Sequence, residues 1–337
     1  MIGMTAEIRV TLGTWPTPVE PAPRLAAAVG LRPDDLWVKR DDLTGLGAGG
    51  GKIRKLEWTV GAALAEGADT LVTTGAPQSN HARLTAAAAA RTGLDAVLVF
   101  PGVPGGSQSG NLALDGLFGA RIAWAGDVGP DGLAAAAARV ARRLEQQGRR
   151  VAVIPFGGSS GLAARGYAEC GRELVGQVPD VRTVVVAVGS GASMAGLVAA
   201  VGADRVLGVD TGAIPDPLAT VAGFASEAGD TPVTPDQLTV RRDQVGGGYA
   251  DYTTEAAAAL RLAARTEGLV LDPVYTARAL AGLAAAVRDG QVASGEQTVF
   301  VHTGGLPGLF GHAAAIEQAQ HALEQFQPLG KTTVSDR

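Results

Sequence analysis

Short apolar runs alternate with longer alanine- and leucine-rich stretches along most of this chain. "DLWVK", "TLVTTG", "AVLVF", "RIAWA", "RVAVIPF", "TVVVAV", "RVLGVD" and "TVFVHT" have the length and β-branched content of strands. Between them, "KIRKLEWTVGAALAEG", "ARLTAAAAARTG", "NLALDGLFG", "GLAAAAARVARRLEQQG", "LAARGYAECGRELVGQ" and "MAGLVAAVG" read as helices. Further helices are expected near 254–266 and 275–289, with a last one from about Leu309. Strands alternating with helices of this length predict an α/β fold of parallel sheets covered on both faces. In such sheets ligands sit where strand carboxyl ends lead into helices. That rule singles out the loops 44–52, 75–81, 156–161, 189–194 and 302–305, all rich in Gly, Ser, Thr or Asn. The final "PLGKTTVSDR" is polar and expected to fray.

Composition narrows the class without naming the chemistry. The 337 residues suffice for two domains around one cleft, and 46% of them are hydrophobic. A net charge of −5, spread along the chain, argues against a nucleic-acid surface. No apolar run is long enough to span a bilayer, and the first residues lack the apolar core of a signal peptide. Cys170 is the only cysteine, and the four histidines lack metal-ligand spacing, so no metal is expected. The expectation is a cytoplasmic enzyme.

Two glycine-rich segments carry candidate chemistry. "AVGSGASMAGL" has the strand–Gly-Ser-Gly–helix form of an anion cup, and equally of a plain tight turn. Gly189-Ser190-Gly191 followed by Asp210 also leaves a nucleotide-binding oxidoreductase open, although Met194 fills the third-glycine position. "GLGAGGGKIRKLEW" places five glycines directly before Lys52, Arg54 and Lys55. It is a poor P-loop, because Ile53 follows the Gly-Lys pair. A lysine acts as an amine nucleophile only when partly neutral, and burial or nearby positive charge brings that about. A helix start beside Arg54 and Lys55 predicts such a lysine at 52, with the glycines making room for a planar group.

Seven segments in order, "VKRDDLTGLGAGGGKIRKLEW", "TTGAPQSNHARLTAAAAARTGL", "IPFGGSSGLAARGYAECGREL", "VGSGASMAGL", "GGGYADYT", "DPVYTARALAGL" and "VHTGG", resemble the D-cysteine desulfhydrase / 1-aminocyclopropane-1-carboxylate deaminase family. The resemblance runs from about 10 to 325. It implies pyridoxal 5'-phosphate (PLP), a small amino-acid substrate, a homodimer and the tryptophan-synthase-β-like fold (fold type II). That fold has two open twisted, mainly parallel sheets flanked by helices. It also implies a larger PLP-binding domain from 1–54 and 160–337, and a smaller one from 55–159, with the site between them.

Carried over by motif, Lys52 is the lysine that bears PLP, and Lys55 reaches its phosphate. Asn80 bonds the phenolic oxygen, and Gly189, Ser190, Gly191, Ala192 and Ser193 form the phosphate cup. Thr303 faces the pyridine nitrogen, which favours elimination over transamination. Ser79 lines the substrate carboxylate site, and Tyr249 and Tyr275 are active-site tyrosines. His81 reads as structural or as a neighbour of the carboxylate site, and His302 as a core histidine at the end of its strand.

Departures concern the substrate more than the cofactor. The family's usual Asn before the lysine is Gly51 here, which predicts a lost hydrogen bond and extra space. His81 and Thr276 stand where the deaminases tend to have Gln and Glu, favouring the desulfhydrase-like branch. The implied reaction is α,β-elimination to pyruvate, ammonia and sulfide. A cysteate sulfo-lyase, a deaminase and a non-catalytic PLP binder remain alternatives.

Overall fold

A computed structural model describes residues 8–105 and 109–324. The expected fraying of 328–337 and the reading of the first seven residues lie outside the described residues. The chain begins β1 (Val19–Pro21), α1 (Pro23–Val29), β2 (Leu36–Lys39) and α2 (Lys52–Ala65). It continues β3 (Thr70–Thr74), α3 (Asn80–Thr92), β4 (Asp95–Phe100), α4 (Asn111–Leu117), β5 (Arg121–Trp124), α5 (Pro130–Gln146) and β6 (Val151–Ile154). Then come α6 (Gly161–Gln177), β7 (Val181–Val188), α7 (Ala192–Val201), β8 (Val206–Asp210), α8 (Pro217–Ala228) and β9 (Thr239–Arg241). Last are α9 (Thr254–Glu267), α10 (Thr276–Arg288), β10 (Gln297–Val301), α11 (Leu306–Phe310) and α12 (Ala313–Glu324).

These strands form two sheets, ordered β1-β2-β10-β7-β8-β9 and β5-β4-β3-β6. Every pairing is parallel except β1 with β2. The expected fold class is therefore the observed one.

The alternation of side chains along β7 shows how the larger sheet is covered. Val184, Val186 and Val188 pack with Leu174, Leu197 and Val221 of α6, α7 and α8. Val185 and Ala187 pack on the opposite side with Leu25, Leu280 and Leu283 of α1 and α10. Each such fully buried aliphatic side chain contributes roughly 1.5–3 kcal/mol. In the smaller sheet, Leu71, Leu98 and Phe100 meet Ile53, Leu56 and Val60 of α2 and Leu84 of α3. Val72, Val97 and Val99 meet Leu133 and Ala137 of α5. No helix among the described residues is long and apolar enough to cross a membrane.

Candidate active site

The five glycine-rich loops converge. Gly50, Lys52, Asn80, Ser193, Thr303 and Tyr275 line one end of a cleft between the two sheets. Ser79, Phe156, Gly157, Ser190 and Tyr249 line its continuation, again with Lys52, Asn80 and Tyr275. Each loop leaves the carboxyl end of β3, β6, β7 or β10, or leads into α2.

The segment before α2 is held by its own backbone. The Gly51 N–H donates to the Thr303 carbonyl at 3.0 Å, and the Gly50 N–H to Thr44 Oγ1 at 2.8 Å. Gly49 has φ +70°, and a Cβ there would lie 2.0 Å from the Asp42 carbonyl oxygen. A Cβ on Gly47 would meet Ala87 at 2.6 Å. These two glycines allow a tight chain path. Of the tract's glycines only Gly50 lines the cleft, so the idea that the whole tract clears space for a ring is corrected.

Lys52 and Lys55 share a face of α2; Lys55 is buried and Lys52 is half-buried in the cleft wall. Burial pushes the Lys52 amine below the usual lysine range, while a hydrogen bond with Lys55 and the charge of Asp272 partly oppose this. Lys55 lies well below its ordinary range, through burial first and then Lys52. The expectation that Arg54 helps to depress Lys52 does not hold. Two positions round the helix, Arg54 points away from the cleft. There its guanidinium pairs with Asp41 at 2.8 Å and Glu173 at 2.8 Å, and lies 4.1 Å from the Trp15 ring centroid. Burial is the main depressor of Lys52.

Lys55 Nζ donates to Ser159 Oγ at 3.0 Å, and Ser159 Oγ lies 2.6 Å from Ser190 Oγ. Ser190 belongs to the turn from β7 into α7, whose first N–H groups have no side-chain cap. Neither Lys52 nor Lys55 has an ion-pair partner within 4.0 Å among the described residues. Lys55, linked through Ser159 and Ser190 to an uncapped helix start, could with Lys52 hold an anion.

Ser79 caps α3, accepting from the Ala82 N–H at 3.1 Å, so its own hydroxyl proton stays free to donate. Tyr249 and Tyr275 hydroxyls lie 2.6 Å apart, and the Tyr275 ring centroid is 5.9 Å from Lys52 Nζ. Burial raises both phenols above their ordinary range, Tyr275 the more, so both stay protonated at neutral pH. Each can pass one proton, and only one is engaged in their mutual bond. Arg278 of α10 holds the tyrosine loop through the carbonyls of Gly248, at 2.9 Å, and Asp251.

Asp272 lines the cleft without having been expected there. Its carboxylate accepts from the N–H groups of Val274, Tyr275 and Thr276 and from Thr276 Oγ1 at 2.7 Å. It orients Tyr275 and starts α10. The signal was present in "DPVYT", an acid four residues before a helix start. Thr276 is fully buried and its hydroxyl is committed to Asp272. His81 is buried, with Nε2 2.9 Å from Thr73 Oγ1, and His302 is buried beyond β10. Asp210 accepts from the Gly212 N–H at 2.8 Å and pairs with Arg242 at 3.3 Å.

The extra space expected at Gly51 is absent. A Cβ there would lie 1.9 Å from the Tyr167 hydroxyl oxygen. Tyr167, from α6, fills that place and lines the cleft, near Ser193 but without a well-formed hydrogen bond. Gly51→Asn is expected to cost ~1–3 kcal/mol by overpacking. Tyr167→Phe in the same chain should recover part of that loss. Urea midpoints of both variants check this; an unchanged midpoint for Gly51→Asn contradicts the contact.

Comparison with known proteins decides the class. The family model described as "Pyridoxal-phosphate dependent enzyme" matches residues 10–304. The chain belongs to that family. A provisionally named 1-aminocyclopropane-1-carboxylate deaminase of Pyrococcus abyssi is 40% identical over 320 residues, covering 90% of this chain and 93% of the relative. A D-cysteine desulfhydrase of Klebsiella pneumoniae is 38% identical over 324 residues, covering 90% and 96%. The crystal structure of an ACC deaminase homologue superposes with TM-score 0.81 at 34% identity, over 94% of this chain and 99% of that one. Maize serine racemase shares the fold, with TM-score 0.62 at 21% identity over 91% and 93%. The enzyme is PLP-dependent, and the nucleotide-oxidoreductase alternative falls with that membership.

The residues present fit the cofactor. A phosphate dianion would complete the unpaired amines, and Lys52 offers a depressed amine in the same cleft. This has a consequence for the cofactor-free protein. A lysine neutral when folded and protonated when unfolded makes unfolding take up a proton, so stability rises with pH. As pH falls below the unfolded lysine pKa of ~10.4, Lys55 should cost up to ~1.4 kcal/mol per pH unit, until pH reaches its depressed folded value. Urea unfolding of cofactor-free protein across that window checks the sign; a flat or falling curve contradicts it.

Proposed function

We propose that this PLP enzyme is a lyase that removes the β-substituent of a small amino acid, with cysteine of D configuration as its leading substrate. The observation carrying the reading is the protonated tyrosine pair above Lys52, together with a Thr276 hydroxyl turned into the protein. A ring-opening deaminase is expected to have a carboxylate at 276, and this chain offers none there. Relatives named D-cysteine desulfhydrase support the same reading.

Lys52 would hold the cofactor and, with its pKa lowered by desolvation, accept the Cα proton once freed. Lys55 and the 189–193 turn would hold the phosphate, Asn80 the phenolic oxygen, and Thr303 the pyridine nitrogen. When bound, PLP supplies the conjugated electron sink that makes the Cα proton acidic. Ser79 and the first N–H groups of α3 would hold the substrate carboxylate. Tyr275 or Tyr249 would give its free proton to the departing thiolate. D-cysteine and one water then become pyruvate, ammonia and hydrogen sulfide.

We further assign two domains, 1–54 with 160–337 and 55–159; the two sheets have separate cores, with Leu12 and Ile53 of the first segment packing into that of the smaller one. A homodimer rests on the resemblance alone and a cytoplasmic location on composition alone; light scattering tests the dimer.

The deciding experiment is a pyruvate and sulfide assay over D-cysteine, L-cysteine, cysteate, 3-chloroalanine and the cyclopropane amino acid. Highest kcat/KM with D-cysteine supports the proposal. A preference for the cyclopropane substrate or cysteate replaces it with the corresponding alternative. No turnover of any of them points to a non-catalytic binder.

A further inference from the structure

We infer that Arg83 and Asn111, whose hydrogen bonds go to neither lysine, set the direction in which Asn80 presents its amide to the cofactor. This rests on the proposal that Lys52 bears PLP. Arg83 Nε donates to Asn111 Oδ1 at 2.9 Å. Asn111 Nδ2 donates to Asn80 Oδ1 at 3.0 Å and to the Gln78 carbonyl at 2.9 Å. Arg83 and Asn111 are fully buried, on α3 and α4, and Asn80 borders the cleft beside Lys52.

The chemistry of the end groups fixes every orientation. A guanidinium has donors and no acceptor, so Asn111 must turn its oxygen to Arg83. The Gln78 carbonyl can only accept, which independently places the Asn111 NH2 on the Asn80 side. Asn80 must then meet that NH2 with its oxygen. Its own NH2 is left for the cleft, and it has no protein partner among the described residues. The phenolic oxygen of PLP is ortho to its aldehyde carbon, so a cofactor held by Lys52 would carry an acceptor that this NH2 could meet. A reversed amide would set oxygen against oxygen.

Arg83 is suited to impose this polarity. Burial lowers its pKa to about 10, with the charge of Asp115 opposing, so it remains a cation at neutral pH. It also ties the loop before α2 to the relay, donating to the carbonyls of Gly47 and, at 3.0 Å, Gly49. Three bonds with one allowed direction, the Arg83–Asn111 bond buried and the other two part-buried, make a rigid donor.

Asn111→Asp tests the relay, because it keeps the shape and the acceptor for Arg83 but removes the donor to Asn80. The Asn80 amide then turns over and faces the phenolic oxygen with its own. PLP affinity of the cofactor-free variant should fall ~10-fold or more. The pH midpoint of the bound cofactor's visible band should rise, since an oxygen that loses a donor becomes more basic. A merely structural role would lower the unfolding midpoint and leave the band's pH midpoint in place. Unchanged affinity and unchanged pH midpoint in folded Asn111→Asp overturn the relay alone. A wild-type protein with no borohydride-sensitive band overturns the Lys52 reading as well. Should Asn111→Asp not fold, Arg83→Gln is compared with Arg83→Lys. Lysine keeps donor-only chemistry and should keep the pH midpoint, and glutamine should raise it; equal midpoints overturn the relay.

Discussion

Lys52→Ala is expected to lower pyruvate release from D-cysteine by ~10⁴-fold or more, because one side chain serves as both cofactor carrier and Cα base. The reason lies in its surroundings. The side chain is half-buried in the cleft wall, desolvation there chiefly depresses its pKa, and its amine lies 5.9 Å from the Tyr275 ring centroid. No other group in the cleft duplicates it. Lys55 is buried and also depressed, but its amine is bonded to Ser159, next to Ser190 and the start of α7. The variant should keep weakened PLP binding through those phosphate-side groups and lose the borohydride-sensitive band. With Lys52 gone, one of the influences that depress Lys55 disappears. The pH dependence of stability in the cofactor-free variant should therefore flatten. Wild-type turnover in this variant would refute the assignment.

The second large effect is on stability. Arg54→Met is expected to cost ~3–5 kcal/mol, read as a lower urea midpoint, because it leaves Asp41 charged and buried without its main partner. Arg54 bonds Asp41 through both Nε and Nη2, each at 2.8 Å, and reaches Glu173 and Thr17 as well. Burial would raise the Asp41 carboxyl, but the charge and hydrogen bonds of Arg54, then Lys39, hold it below the ordinary range. A depressed acid contributes stability that is present above its unfolded pKa and lost as pH falls through the folded one. Arg54→Met should therefore also reduce the acid sensitivity that Asp41 confers. Adding Asp41→Leu should recover part of the loss, since no orphaned charge remains. If Arg54→Met unfolded at the wild-type midpoint, the pair would carry no such weight.

Much of the fold was legible because its signals are local. The apolar runs marked the long strands, and Ser79 and Thr253 mark helix starts through caps formed within three residues. β1 and β9 have three residues each, too few to show alternation. α8 escaped notice although Asp216 caps it and Pro217 opens it, a readable pair. The site's location followed from strand carboxyl ends, which order the loops whatever their contents.

What did not follow were the contacts set by tertiary packing. Gly51 looked like added room until Tyr167, from a distant helix, filled it. Arg54 looked like a neighbour of Lys52, although two steps along a helix turn it towards Asp41. Asn111 and Arg83 lie on different helices, so no spacing rule joins them.

The most direct test of the account is to reduce the purified, cofactor-loaded protein with borohydride and map the modified lysine by peptide mass spectrometry. A pyridoxyl group on Lys52, with Lys55 unmodified, is the predicted result. Modification at Lys55 instead, or at neither lysine, would contradict it.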